Sequence, residues 1–305
     1  MTGLYSGIAL SLLAAAGFGL GTVLIRKALE WVSPFVATLI SLVIGITVLG
    51  FFCILFFGIE IFDQPKSVYF VTCILGLLVT SAAGSFLTAM KLAGAGFASP
   101  ILGASPIFSI GLALTLRGEQ PQLLALTGAL VIVFGVVVLV TDKERIQKIE
   151  RGGLLTFRNL NFSGVTIGIG LAGVASISIA IAGYLASGIV GDSTPGSVVA
   201  FYESVFGIVF VCLIIARFWD RQYISRRGFY WMLPAGVVFA IAVASLYTAL
   251  ELAPLSIVAP LAGTEPLATY FFILLILRGQ EFITLRATLG ALLIVLGVGI
   301  IGVTS

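Results

Sequence analysis

The chain has 305 residues, 60% of them hydrophobic and only 10% charged, with a formal net charge of +3. A soluble domain carries roughly 25% charged residues, so this chain cannot cover a water-facing surface, and so small a net charge offers no basic field for a nucleic-acid partner. Histidine is absent, which removes imidazole catalysis, histidine-ligated haem and most metal sites.

Charge-free apolar stretches run over 2–25, 31–59, 67–90, 92–116 and 120–141, then over 159–191, 228–250 and 287–305. Two more, 193–216 and 252–277, hold one carboxylate each, Glu203 and Glu265. A helix crosses the hydrocarbon core with roughly 20 apolar residues. Lipid offers the backbone no hydrogen bonds, so each segment must pair its own groups as a helix. The expectation is an all-α membrane protein of ten transmembrane helices, with the bilayer as its constant partner. The first stretch reads as a span, since it lacks the charged n-region and cleavage site of a signal peptide. Cys53, Cys73 and Cys212 lie inside apolar stretches and read as packing residues without a disulfide framework.

The long polar stretch 142–158 sits at the midpoint, with five spans on each side. That position invites a search for an internal repeat. A shift of 160 residues aligns 85–106 with 245–266 and yields eight identities in 22 positions, among them Ala89/Ala249, Ala93/Ala253, Pro100/Pro260, Gly103/Gly263 and Pro106/Pro266. The register then slips, and Arg117-Gly118-Glu119-Gln120 answers Arg278-Gly279-Gln280-Glu281. Gly128 and Gly135 answer Gly290 and Gly297. The expected units are a first repeat over 1–141, a polar linker over 142–162 and a second repeat over 163–305. Five crossings per half turn the second half upside down, and inverted repeats give secondary transporters two exchangeable states with a site between the halves.

Lys and Arg are unevenly distributed. The connections after spans 1, 3, 5, 7 and 9 carry 14 of them, and the opposite side only Lys66 and Arg117. Positive charge favours the cytoplasm, which places the 142–158 loop there and both termini outside, in what reads as a prokaryotic plasma membrane.

Several of these residues resemble the drug/metabolite transporter superfamily, in its ten-helix form with paired EamA-type domains. They are Leu92-Ala93, Ser99-Pro100, Ser105-Pro106 and Gly128 to Gly135 in the first half. In the second they are Leu252-Ala253-Pro254, Ala259-Pro260, Glu265-Pro266, Gly279-Gln280-Glu281 and Gly290 to Gly297. The resemblance covers essentially the whole chain. It implies helices 1–4 and 6–9 around a central cavity, helices 5 and 10 bracing the outside, and alternating access, commonly for export of amino acids or other metabolites. It also implies cytoplasmic termini, against the charge bias, and the charge count decides the expectation.

Glu265 is the leading candidate for the mechanism. It lies near the middle of an apolar helix, where a charge costs roughly 2.5–3.5 kcal/mol on insertion scales. Its repeat partner is Ser105, so the acid is not needed to build the repeat. A carboxyl withdrawn from water can carry a proton or bind a substrate amine; it can also simply bond a neighbouring helix and fix the fold. Glu203 lies about a third of the way into helix 7, from where it can reach water or headgroups. Lys91 and Glu251, equivalent across the repeat, read as interface residues, although their opposite signs suit a gate.

Pro100, Pro106, Pro260 and Pro266 are expected to interrupt helices 4 and 9. Each lacks an N–H and frees the carbonyl four residues earlier, at Gly96, Leu102, Ser256 and Ala262. Paired kinks in equivalent halves point to a site and its hinges; the plain alternative is a packing kink. Tyr247, Tyr184, Tyr202 and Tyr270 are embedded tyrosines whose hydroxyls need partners, and Phe86 lies beside them in the apolar spans as a cavity or core residue. Gly17, Gly19 and Gly21 in helix 1, with Gly164 and Gly168 in helix 6, are close-packing seams. The Gly17 run follows no strand and is no nucleotide fingerprint.

The expected function is a secondary transporter of a small polar or amphipathic metabolite, with an uncoupled carrier or channel as the alternative. The buried acids are too few and too far apart in sequence for a catalytic dyad, so the chain does not read as an enzyme. No cofactor or metal is called for. The chain reads as a monomer, with a dimer the alternative.

Overall fold

The structure, a computed structural model, describes residues 2–105, 107–108, 111–112, 123–141, 164–186, 188–190, 194–219, 222–253, 258, 261–277, 281 and 284–304. Its helices are α1 Thr2–Ala28, α2 Pro34–Phe57, α3 Lys66–Ala93, α4 Ala95–Leu102, α5 Leu123–Val140, α6 Gly164–Ala186, α7 Gly196–Arg217, α8 Arg226–Leu252, α9 Glu265–Ile276 and α10 Leu285–Thr304. Among the described residues, α1, α2, α3, α6, α7 and α8 are long and apolar enough to cross a membrane, while α5, α9 and α10 hold shorter apolar helices.

The helix limits follow from local chemistry. Pro34 opens α2 in its first turn, and Pro65 and Pro195 cap α3 and α7, where a missing N–H leaves no bond unmade. Gly94 ends α3 at φ 86°, a conformation that favours glycine. Arg26 and Lys27, Lys91, and Arg217 occupy the last turns of α1, α3 and α7, beside the negative ends of those helices.

The packing divides the helices differently from their order in sequence. α1 lies chiefly on α8 and α9, and α2 on α8 and α7. α6 lies chiefly on α3 and α4, and α7 on α3 and α2. Grouped by the repeat, one bundle is α1, α2, α8 and α9 and the other α6, α7, α3 and α4, with α2 and α7 packed on each other across the boundary. Relabelling by the repeat converts the first set into the second. α5 and α10 pack on each other beside α4 and α9.

Glycine contacts are repeated with the same relabelling. A Cβ at Gly7 would meet the Ala253 Cβ at 2.7 Å and the Ala249 carbonyl at 3.5 Å. At Gly168 it would meet the Ala93 Cβ at 2.9 Å and the Ala89 carbonyl at 3.3 Å. The identities Ala89/Ala249 and Ala93/Ala253 thus mark the places where α1 and α6 each cross to the opposite half. Gly76 against Phe206, at 2.7 Å, and Gly236 against Ile44, at 2.6 Å, form a second equivalent pair. Without a hydrophobic drive between helices in lipid, such close approach is a main source of cohesion. Large apolar side chains such as Phe51, Leu55, Leu130 and Leu213 face outward, as a lipid solvent permits.

The α5–α10 seam brings glycines against backbone. A Cβ at Gly297 would stand 2.6 Å from the Gly128 carbonyl, and one at Gly290 2.9 Å from that of Gly135. Gly299, two residues on, has nothing within 4 Å. Gly297→Ala should therefore destabilise the protein by about 1–3 kcal/mol through overpacking. Gly299→Ala should be neutral or stabilising by up to about 1 kcal/mol. Thermal unfolding of the two purified variants in detergent checks the contrast.

Candidate functional site

Pro100 lies inside α4 and cannot donate to the Gly96 carbonyl. Just beyond, the helix breaks at Gly103–Ala104, where Ala104 N–H bonds the Ile101 carbonyl at 3.2 Å and Ile107 N–H the Ala104 carbonyl at 3.1 Å. The equivalent break stands before α9. There Thr264 N–H bonds the Leu261 carbonyl at 3.2 Å, and Leu267 N–H the Thr264 carbonyl at 2.9 Å. The two breaks meet, since a Cβ at Gly103 would lie 2.8 Å from the Pro266 ring.

The prolines differ in what they do. Pro100 interrupts a helix, whereas Pro266 stands in the first turn of α9, where it opens a helix instead of breaking one. Pro106, Pro260 and Ser256 lie outside the described residues. The carbonyls freed in α4 have partners from the second half of the chain. The Tyr270 hydroxyl donates to the Gly96 carbonyl at 2.8 Å, and the Ser176 hydroxyl to that of Leu102 at 3.3 Å.

Glu265 sits at this junction, 8% exposed. Its Oε1 accepts from the Ser99 hydroxyl at 2.9 Å and from Thr269, one turn on, at 3.0 Å. The two hydroxyls lie 3.2 Å apart, and Thr22 of α1 reaches the same carboxyl. Ser99, Thr269 and Thr22 are themselves buried. One carboxyl thus bonds α1 and α9 of one bundle to α4 of the other. It can act as a proton carrier or a cation acceptor between two bodies, provided that the bodies part. Ser105, its repeat partner, lies half-buried two residues past Gly103.

Glu203 forms a separate group. It is 7% exposed, so it does not reach headgroups; instead the Tyr247 hydroxyl of α8 donates to its Oε2 at 2.8 Å. This bond also crosses between the bundles, from α7 to α8. Next to it, Tyr202 donates to the Ile61 carbonyl at 3.1 Å and packs edge-on to Tyr69. Tyr184 lies half-buried on α6. Phe86 is packed in the main apolar core with Phe97, Met90 and Val23. Lys91 reaches the Tyr223 hydroxyl, and Glu251 accepts the Gly196 N–H at the start of α7 at 2.5 Å.

Ser99, Thr269, Thr22 and Ser176 were not candidates on sequence grounds. Thr269 carried a usable signal, four residues after Glu265 and hence on the same helix face. The hydroxyls of the other three are supplied by distant helices. Among the described residues, no group of carboxylate and thiol side chains could hold a metal.

The model of the EamA-like transporter family matches residues 5–141 and again 166–303. No curated protein matches the chain. Among solved structures 28 chains match; one, a crystal structure, superposes with a TM-score of 0.66 over 96% of this chain and 96% of that one, at 20% sequence identity. That likeness is one of fold alone.

Because the Tyr270 hydroxyl donates to a carbonyl that Pro100 cannot serve, Tyr270→Phe should cost about 1–3 kcal/mol of stability. Ser176→Ala should cost less, since its bond is longer. Thermal unfolding in detergent, with both variants beside the parent protein, checks the order.

Proposed function

The chain belongs to the EamA-like transporter family, and we propose that it is a secondary transporter that exports a small polar or amphipathic metabolite, such as an amino acid, by alternating access. In this reading the two matched segments are inverted five-span repeats over 1–141 and 163–305, joined by the 142–162 linker. The ten helices then cross a prokaryotic plasma membrane with both termini outside. The working unit is a monomer.

The observation that carries the proposal is the meeting of two equivalent helix breaks at Gly103 and Pro266, with the buried Glu265 carboxyl bonded across them. Broken helices from two repeats are where transporters of this architecture hold substrate and coupling ions. The bundle division supports it further: α1, α2, α8 and α9 can rock against α3, α4, α6 and α7 only if the Ser99–Glu265 and Tyr247–Glu203 bonds exchange partners. A substrate amine or a proton arriving at Glu265 offers such an exchange. Glu265 is proposed as the coupling residue, with Glu203 and Tyr247 as a second polar station on the path. Ser105, Tyr184 and Phe86 complete the proposed lining, and Pro100, Pro106, Pro260 and Pro266 the proposed hinges.

The test is counterflow in proteoliposomes preloaded with one of a panel of unlabelled amino acids and related metabolites. Labelled solute should accumulate transiently, and an imposed proton gradient should raise the rate. Glu265→Gln should keep exchange but lower the gradient-driven rate about tenfold, the scale of one charge interaction of about 1.4 kcal/mol. A gradient response unchanged in Glu265→Gln removes coupling through this residue. Unitary currents in planar bilayers, with no counterflow, would replace the carrier reading by a channel.

A further inference from the structure

A second carboxylate organises the opposite end of α4. Glu281, between α9 and α10, accepts from Arg26 Nε at 2.9 Å and from the Ala95 N–H at 2.7 Å through Oε1, and from the Gly96 N–H at 3.0 Å through Oε2. The two side chains are nearly out of solvent, with Arg26 12% and Glu281 3% exposed. Gly94 makes the approach possible. Its φ is +86°, and a Cβ there would lie 3.0 Å from both carboxylate oxygens. Three separate pieces therefore converge on one side chain: the end of α1, the start of α4 and the segment leading to α10.

Two features mark this as more than a helix cap. First, it spans the bundle boundary, because α1 and α4 belong to different bundles. Lys91 reaching the Tyr223 hydroxyl, with its Nζ 4.6 Å from the ring centre, stands at the same face. Second, the repeat in the sequence gives its cation no equivalent. The repeat places Ala186 or Ser187 opposite Arg26, neither of them a cation, while Glu281 falls at the register slip, opposite Gln120 or Glu119. A buried ion pair lost without replacement leaves an uncompensated charge, so opening this face means parting a nearly buried ion pair.

We propose that Arg26 and Glu281 form a one-sided latch that holds the Arg26 face of the transporter closed and must open once in each cycle. They act as positioning residues, bringing the start of α4 against α1, and not as ligands for the solute. The proposal rests on the alternating-access reading but is tested by opening rather than by transport, so the two can fail separately.

The test uses the full chain with Cys53, Cys73 and Cys212 replaced and a reporter cysteine at Ala98, one turn inside α4 and fully buried. A membrane-impermeant, charged thiosulfonate reagent is applied to intact cells and to inverted vesicles. Glu281→Gln and Arg26→Gln should each raise the labelling rate from the Arg26 face about tenfold or more, with no rise from the other face. Arg26→Lys should keep most of the protection. The exchanged pair, Arg26→Glu with Glu281→Arg, should not restore it, because a guanidinium has no acceptor for the Ala95 and Gly96 N–H groups. An equal rise from both faces would show general loosening and overturn the latch. No rise from either face, or full protection by the exchanged pair, would overturn it as well. Should Glu281→Gln fail to reach the membrane, Arg26→Gln leaves the cap in place and carries the test by itself.

Discussion

A backbone carbonyl without a partner cannot face lipid, and that constraint decides where α4 can sit. Pro100 takes away the donor that would have served Gly96, and the break at Gly103–Ala104 follows within a turn. The missing partners come from the other half of the chain. Tyr270 serves Gly96, Ser176 serves Leu102, and Glu281 closes the first turn through Ala95 and Gly96. An apolar helix placed in lipid has little reason to choose one neighbour over another. A broken one has a definite list of groups that must be met, and α4 is located by meeting them.

The same reasoning explains why the packed bundles do not coincide with the halves of the sequence. Gly7 and Gly168 let α1 and α6 cross to the opposite half and lie against Ala253 and Ala93 at nearly backbone distance. Once that exchange is made, α1 packs with α8 and α9, and α6 with α3 and α4. Glycine contacts occur inside each bundle and also across the boundary, at Gly103 on Pro266 and Gly50 on Phe201, and the polar side-chain bonds Ser99 to Glu265, Tyr247 to Glu203 and Tyr270 to Gly96 cross it as well. A polar bond can be handed to a proton, an amine or a water molecule. A glycine seam has nothing to hand over. In the proposed cycle the polar bonds between the bundles are the ones that exchange.

Sequence alone made the helices legible, because an apolar run bounded by Pro34, Pro195 or Gly94 states its own limits. It also exposed Glu265, since one charge in such a run conflicts with its solvent. What remained hidden was the phase of each helix. Spans apolar on all sides carry no periodic signal to say which face meets a neighbour. The hydroxyls of Ser99 and Thr22 therefore could not be assigned to Glu265, nor Ser176 to Leu102. Glu203 illustrates the same gap: its distance from the helix end gave a depth, but only the structure supplies Tyr247. Arg26 and Glu281 are separated by 255 residues, so each looked like an ordinary charge near a span end.

Symmetry supplies the last step. If the two repeats were identical, the states open to either face would interconvert by relabelling and would have equal free energy. Every departure from identity is then a bias on that equilibrium or a part of the chemistry. Among the charged departures, which include Lys91 against Glu251, are Glu265 against Ser105 at the shared break and Arg26, the cation of the Glu281 pair, against Ala186 or Ser187. The first stands at the centre, where both states can use it, so it suits the solute or proton being moved. The second stands at one face and contributes only while that face is closed. In the proposed cycle a one-sided lock makes the chain itself favour one state, so that a cargo or proton at Glu265 would have a definite difference to overcome.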